Sequence, residues 1–199
     1  MILALDLSLS CTGVALFDPK GKLIKVSQIV PPSGLTQDQE IHFIVRSLLD
    51  EHYPAVQEVV IEDTYCMMSR IQAFKVLNRL AGAVIFSCIS YLEKQPIFYT
   101  ATSARKLVGI ASDIAKVETQ MWVLEHFFPD TSTEEFHKSK DAFRRDYVKR
   151  KLTKNQYDYR LDKLSIEVAK ATDLSNDKSD AVIIGLAHFV KHKIIPRPK

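Results

Sequence analysis

Residues 2–9, ILALDLSL, place an acid in the middle of an apolar run that has the character of a buried strand. Alternation along that strand puts Leu3, Leu5 and Leu7 on one face, and Ile2, Ala4 and Asp6 on the other. Both faces are largely apolar, as expected of a central strand covered on both sides. An ionised carboxylate in such a place must neutralise, pair with a cation, bind metal or be satisfied by backbone donors. The Ser-Cys-Thr-Gly turn at 10–13 could supply those donors. Two further acidic sites lie on core elements. EVVIEDTY, residues 58–65, carries Glu62, and SNDKSDAVIIGLAHF, residues 175–189, opens an apolar helix with Asp177 and Asp180. Spaced three apart, Asp177 and Asp180 share one helix face. Ordinary first-turn acids behind a Ser175 or Asn176 N-cap would look the same, and Glu62 could close a strand at the surface. Taken jointly, the three sites point to a divalent metal centre. Mg²⁺ favours carboxylate oxygens and retained water, and two such ions about 4 Å apart clamp a phosphodiester in displacement.

Turn signals and periodicity set the element order. Strands are expected over 2–9, 13–18 and LIKVSQIV (23–30), an antiparallel meander turned by Ser-Cys-Thr-Gly and Asp-Pro-Lys-Gly. After Pro31, Pro32 and Gly34, Thr36 and Gln39 form a capping-box pattern for a helix to about Glu51. EVVIED is the fourth strand, a long helix runs from Ser69 to Lys94, and PIFYT is a short fifth strand. A basic helix starts at Thr102, an amphipathic one covers about Ile114 to Phe128, and a last helix spans about Lys178 to His192. The pattern predicts an α/β fold, a mixed five-stranded sheet of antiparallel meander plus parallel strands, flanked by helices.

The chain has 199 residues, 46% of them hydrophobic and 26% charged, enough for one sizeable core. One domain, 1–199, with a charged helical insertion at about 129–172, is expected. Its longest apolar run, Leu80 to Tyr91, is short for a bilayer, and the N-terminus has no leader pattern, so a soluble, cytoplasmic protein is expected. Cys11, Cys66 and Cys88 lack paired spacing, which favours reduced thiols over disulfides or zinc. The net charge of +3 is unevenly spread. Lys138 to Lys163 holds ten Lys/Arg against four Asp/Glu, a net of +6, leaving −3 for the rest. Phe143, Tyr147, Tyr157 and Tyr159 are interleaved with Arg144, Arg145, Lys149 and Arg150. That mixture suits nucleic acid, although a solvated helix pair with i,i+4 ion pairs would read alike.

The segments ILALDLSLSCTGVAL, VVIEDTY, SRIQAFKVLNRLAGA, TSARKLVGIASDIAKVETQ and NDKSDAVIIGLAH, in this order, resemble the RuvC-type Holliday junction resolvases of the ribonuclease H-like superfamily. With the stretch 129–172 left out, they are spread over roughly three quarters of the chain. The resemblance implies a ribonuclease H-like fold and four metal-binding carboxylates at Asp6, Glu62, Asp177 and Asp180. It also implies Mg²⁺ as cofactor, two ions per site, with Mn²⁺ able to substitute. Tyr65, just after the second acid, would contact junction DNA, with Arg70 nearby. Arg105, Lys106 and above all Lys116 match basic residues near the scissile phosphate. The long helix after Ser69 would contribute to a homodimer. The stretch Pro129 to Thr172 departs from compact bacterial members and marks a divergent, phage-type one, acting in a bacterial host cytoplasm.

The expected activity is Mg²⁺-dependent endonucleolytic cleavage of four-way junctions and other branched DNA, leaving 5′-phosphate nicks. Two other classes stay open: a non-catalytic junction-binding protein, and a ribonuclease acting on RNA:DNA hybrids. An actin-like or sugar-kinase ATPase is disfavoured. DLSLSCTG has a superficial likeness to a phosphate loop, but the six glycines form no second one, so no nucleotide cofactor is expected.

Overall fold

In the computed structural model, which describes residues 1–51, 56–63, 71–111 and 115–198, the acid-bearing apolar run is the central strand β1 (Ile2–Asp6). It pairs antiparallel with β2 (Thr12–Phe17), which pairs antiparallel with β3 (Leu23–Ile29). On its other side β1 pairs parallel with β4 (Glu58–Glu62), and β4 with β5 (Ile97–Tyr99). The sheet order is β3-β2-β1-β4-β5, the mixed meander-plus-parallel sheet expected. The remaining elements are helices: α1 (Gln37–Glu51), α2 (Ile71–Leu92), α3 (Ala101–Val108), α4 (Lys116–Phe127), α5 (Glu134–Val148), α6 (Lys154–Thr172) and α7 (Asn176–Lys191).

β1 ends at Asp6, three residues short of the apolar run. The Thr12 hydroxyl donates to the Ser8 carbonyl at 2.7 Å, and the Ser8 amide reaches Thr12 Oγ1 at 3.3 Å, so the chain turns before it can continue the ladder. Other boundaries follow their caps. The Thr36 amide donates to Gln39 Oε1 at 2.9 Å, closing the box that starts α1. Thr100, rather than Thr102, caps α3 by accepting from the Ser103 amide, and Ser175 caps α7, which starts two residues before Lys178. The expected starts of α2 at Ser69 and of α4 at Ile114 lie outside the described residues.

Alternation in β1 divides the core. Leu3, Leu5 and Leu7 pack with α1 and α2 through Ile44, Leu48, Leu80, Val84 and Cys88. Ile2 and Ala4 pack on the opposite side with α3, α4, α6 and α7. α7 is buried along most of its length, with Phe189 against Phe17 at 5.5 Å. It lies so close to the sheet that a Cβ at Gly185 would sit 2.2 Å from the Phe17 ring. α6 is half core: Leu161, Leu164, Ser165 and Val168 are buried, while α5 buries no residue fully. α2 is longer than its apolar run suggests. Among the described residues it is the one helix long and apolar enough to cross a membrane, with 28% of that window buried. Phe86 is 71% and Tyr91 65% exposed on its outer face.

Of the glycines, Gly13 has the closest neighbour to where a side chain would stand, and its register partner across the ladder is Asp6. A Cβ there would lie 2.0 Å from the carbonyl oxygen of Asp177. Glycine is therefore required for the start of α7 to rest on β2. Gly13→Ala is expected to destabilise the protein by about 1–3 kcal/mol, as overpacking against unyielding backbone does. Chemical denaturation checks it, and a change under about 0.5 kcal/mol would contradict this packing.

Candidate metal centre

Asp6 ends β1 and Glu62 ends β4; the strands are parallel with Leu5 beside Ile61, so the two acids emerge side by side at one sheet edge. Ala4 and Val60, two residues earlier in each strand, face α7, and the pleat gives Asp6 and Glu62 that same side. α7 begins there because Gly13 admits the Asp177 carbonyl, and Asp180 follows one turn on. Three elements distant in sequence thus bring four carboxylates to one place.

Their electrostatics reflect that convergence. Burial, then the charges of Glu62, Asp180 and Asp177, push the Asp6 carboxyl well above its ordinary range, with Lys116 opposing. Burial and Asp180 raise Glu62 from 4.5 to about 7, with Arg105 opposing. Asp180 is raised chiefly by burial and held down by Arg105, which donates from Nη2 to its Oδ1 at 3.1 Å. Backbone donors of the 10–13 turn do not account for Asp6: burial and like charge dominate it.

Of the basic residues singled out in the sequence, Arg105 and Lys116 act on the cluster. Lys106 is exposed, and its carbonyl accepts from Arg197 at 3.0 Å. Tyr65 and Arg70 lie outside the described residues. Arg144, Arg145, Lys149 and Arg150 are all exposed, at the end of α5 and in the turn after it. Cys11 was not expected at the site, yet its thiol is pushed up to about 12 by burial and by a hydrogen bond to Asp177. At neutral pH this thiol is therefore protonated rather than a thiolate nucleophile. Its position in the β1–β2 turn, five residues after Asp6, was the available signal. Gln28 adds a polar rim: its Oε1 lies 3.5 Å from Cys11 Sγ and accepts from Ser175 Oγ at 3.2 Å.

The donor chemistry fits a hard divalent cation, because Asp6, Glu62 and Asp180 are acids whose charge burial disfavours, and the charge of Asp177 adds to the repulsion on all three. A +2 ion would relieve both burial and repulsion. Among the described residues no three ligating groups stand close enough to hold an ion as they are, and Asp180 is engaged by Arg105. A different polar cluster lies along the sheet at β4's other end, where His188 Nε2 meets Glu58 Oε2 at 3.2 Å.

Among solved structures, the chain has the fold of RuvC. It matches the Thermus thermophilus RuvC structure with a TM-score of 0.58 and 14% identity, over 96% of this chain and 95% of that one. T. thermophilus RuvC in complex with Holliday junction substrate matches with a TM-score of 0.63 and 10% identity, over 96% and 94%. No family model and no curated protein sequence matches the chain.

The raised Glu62 carboxyl has a thermodynamic consequence. The folded state holds its proton up to about pH 7, whereas the unfolded chain releases it near 4.5, so this acid costs the fold stability as pH rises through that interval. Without divalent metal the melting temperature is expected to fall between pH 4.5 and 7, and Glu62→Gln to flatten the fall. Thermal melts across that range check it; a parallel decline in the variant would place the cause elsewhere.

Proposed function

We propose that this protein is a divalent-metal-dependent endonuclease that resolves Holliday junctions and cuts related branched DNA, leaving 5′-phosphate nicks. The observation that carries the reading is the gathering of Asp6, Glu62, Asp177 and Asp180 at one sheet edge. The fold shared with RuvC, one structure of which holds a Holliday junction substrate, supports it. Bound Mg²⁺ or Mn²⁺, two ions per site, would supply Lewis acidity and an activated water. Asp6 would hold the ions from β1, at the point on which the other three acids all act. Glu62 would join it from β4, and Asp177 and Asp180 would hold the ions from α7. Lys116, at the first turn of α4, balances charge developing on the phosphate, and Tyr65 stacks at the opened junction centre. Asp6→Asn and Asp180→Asn are expected to keep junction binding while lowering nicking more than about a hundredfold. Wild-type nicking by either variant removes the site assignment. Junction binding without nicking by the native chain would favour a binding protein, and preferential hydrolysis of RNA:DNA hybrid a ribonuclease.

The chain acts as one nuclease domain, with the 129–172 segment as its DNA arm. α6 roots the arm through Leu161, Leu164 and Val168, so removing the arm as a block would open the core. The outward end of α5 carries the charge instead. Tyr147 stacks on Tyr157 at 4.9 Å, and the Arg160 guanidinium lies 5.4 Å from the Phe143 ring centre. These contacts brace the helix pair while Arg144, Arg145, Lys149 and Arg150 face solvent. Changing those four to Gln is expected to weaken junction binding and to reduce the slope of log affinity against log salt by about 1 for each phosphate no longer neutralised. An unchanged slope in a salt titration contradicts the arm.

Two such sites on one junction need a homodimer, and the outer face of α2 is the surface we assign to it. Its core face packs on the sheet through Leu80, Val84 and Cys88, and Phe86, Ile89 and Tyr91 remain exposed. That two-sidedness suits a dimer contact better than a membrane span, and the protein would work in a bacterial cytoplasm with DNA as partner and no nucleotide cofactor. Phe86→Glu is expected to shift the protein from dimer to monomer in sedimentation equilibrium; a monomeric wild type rules the interface out.

A further inference from the structure

Arg105 belongs to α3, and its Nη2 donates to Asp180 Oδ1 of α7 at 3.1 Å. The two side chains are only 15% and 17% exposed. The same guanidinium also acts on Glu62 of β4, where it opposes burial and the charge of Asp180. Its positive charge therefore serves acids of two elements, through a hydrogen bond to Asp180 and through space to Glu62. It is also incompletely satisfied, because its Nε is buried without a hydrogen-bond partner among the described residues. A buried donor left over is costly, so charge rather than full hydrogen bonding holds this side chain in place.

We propose that Arg105 is a resident cation of the acid cluster, that a divalent ion displaces it from Asp180, and that the released guanidinium then takes a phosphate of the bound DNA. The inference rests on the metal-nuclease reading above. Two cations on one carboxylate repel each other strongly where solvent is scarce, so a metal ion and Arg105 compete for Asp180. A phosphate matches the guanidinium fork and offers Nε the acceptor it lacks. Linkage then requires reciprocity: metal loading raises DNA affinity through Arg105, and DNA raises metal affinity by the same factor. The usual alternative for an arginine on a ligating carboxylate is an orienting partner, and its loss would weaken metal binding. The two roles differ in sign.

The experiment titrates Mn²⁺ into the full-length protein by calorimetry, for wild type, Arg105→Gln and Arg105→Lys. It also measures four-way junction affinity by fluorescence anisotropy in Ca²⁺ and in EDTA. Arg105→Gln is expected to bind Mn²⁺ about fivefold tighter or more, the lower end of typical coupling between sites. Arg105→Lys, which keeps the charge, is expected to stay within about twofold of wild type. The gain in junction affinity that Ca²⁺ gives the wild type is expected to shrink in Arg105→Gln. Arg105→Met replaces Arg105→Gln if the latter fails to show a cooperative melt. Unchanged or weaker Mn²⁺ binding by the uncharged variant overturns the role of Arg105, as does equal tightening by Arg105→Lys. A wild type that takes up no Mn²⁺ overturns the metal centre itself, and this inference with it.

Discussion

The site depends on one close approach, the carbonyl of Asp177 resting where a side chain at Gly13 would be. Gly13 lies across the ladder from Asp6, so this contact ties the start of α7 to the end of the central strand. It also sets the helix direction. α7 presents its N-terminal end, with its partial positive charge, to the edge where the acids of β1 and β4 emerge. The long buried stretch from Ala181 to Phe189 then anchors the helix against the sheet. A hydrophobic core therefore forces together acids that would otherwise repel.

The cost of that arrangement is visible in the carboxyls. Asp6, Glu62 and Asp180 are all pushed upward, with burial as the largest cause for each. Arg105 and Lys116 offset only part of it, and Cys11 contributes no charge. The fold bears this unfavourable free energy, which a bound multivalent cation would relieve.

The charged helix pair is connected to this edge through a buried polar network. Gln120 of α4 donates to the carbonyls of Leu174 at 2.9 Å and Ser165 at 3.3 Å. Ser165 of α6 donates to Gln120 Oε1 at 2.8 Å and lies 3.1 Å from Asn176 Oδ1, at the first turn of α7. Lys178, nearly fully buried, reaches the Asp173 carbonyl at 2.7 Å where α6 ends in a left-handed residue. The helix pair and the acid-bearing edge therefore share one buried hydrogen-bonded network.

The sequence alone determined the strands, the meander-plus-parallel sheet and the capped start of α1, because pleat alternation and capping pairs act over a few residues. It also marked Asp6 as anomalous, since an acid among Ile2, Leu3, Ala4 and Leu5 is improbable without a partner. Only the tertiary structure decided who that partner set is. Arg105 meets Asp180 across 75 positions, Glu62 arrives beside Asp6 through parallel pairing, and Gly13 admits Asp177 from the far end of the chain. The two-sided nature of α6 was hidden for the same reason: its charges are visible along the chain, while burial of Leu161, Leu164 and Val168 exists only once α4 and α7 are in place. Local periodicity specifies elements, but Coulomb partners and close packing are properties of residues brought together by the fold.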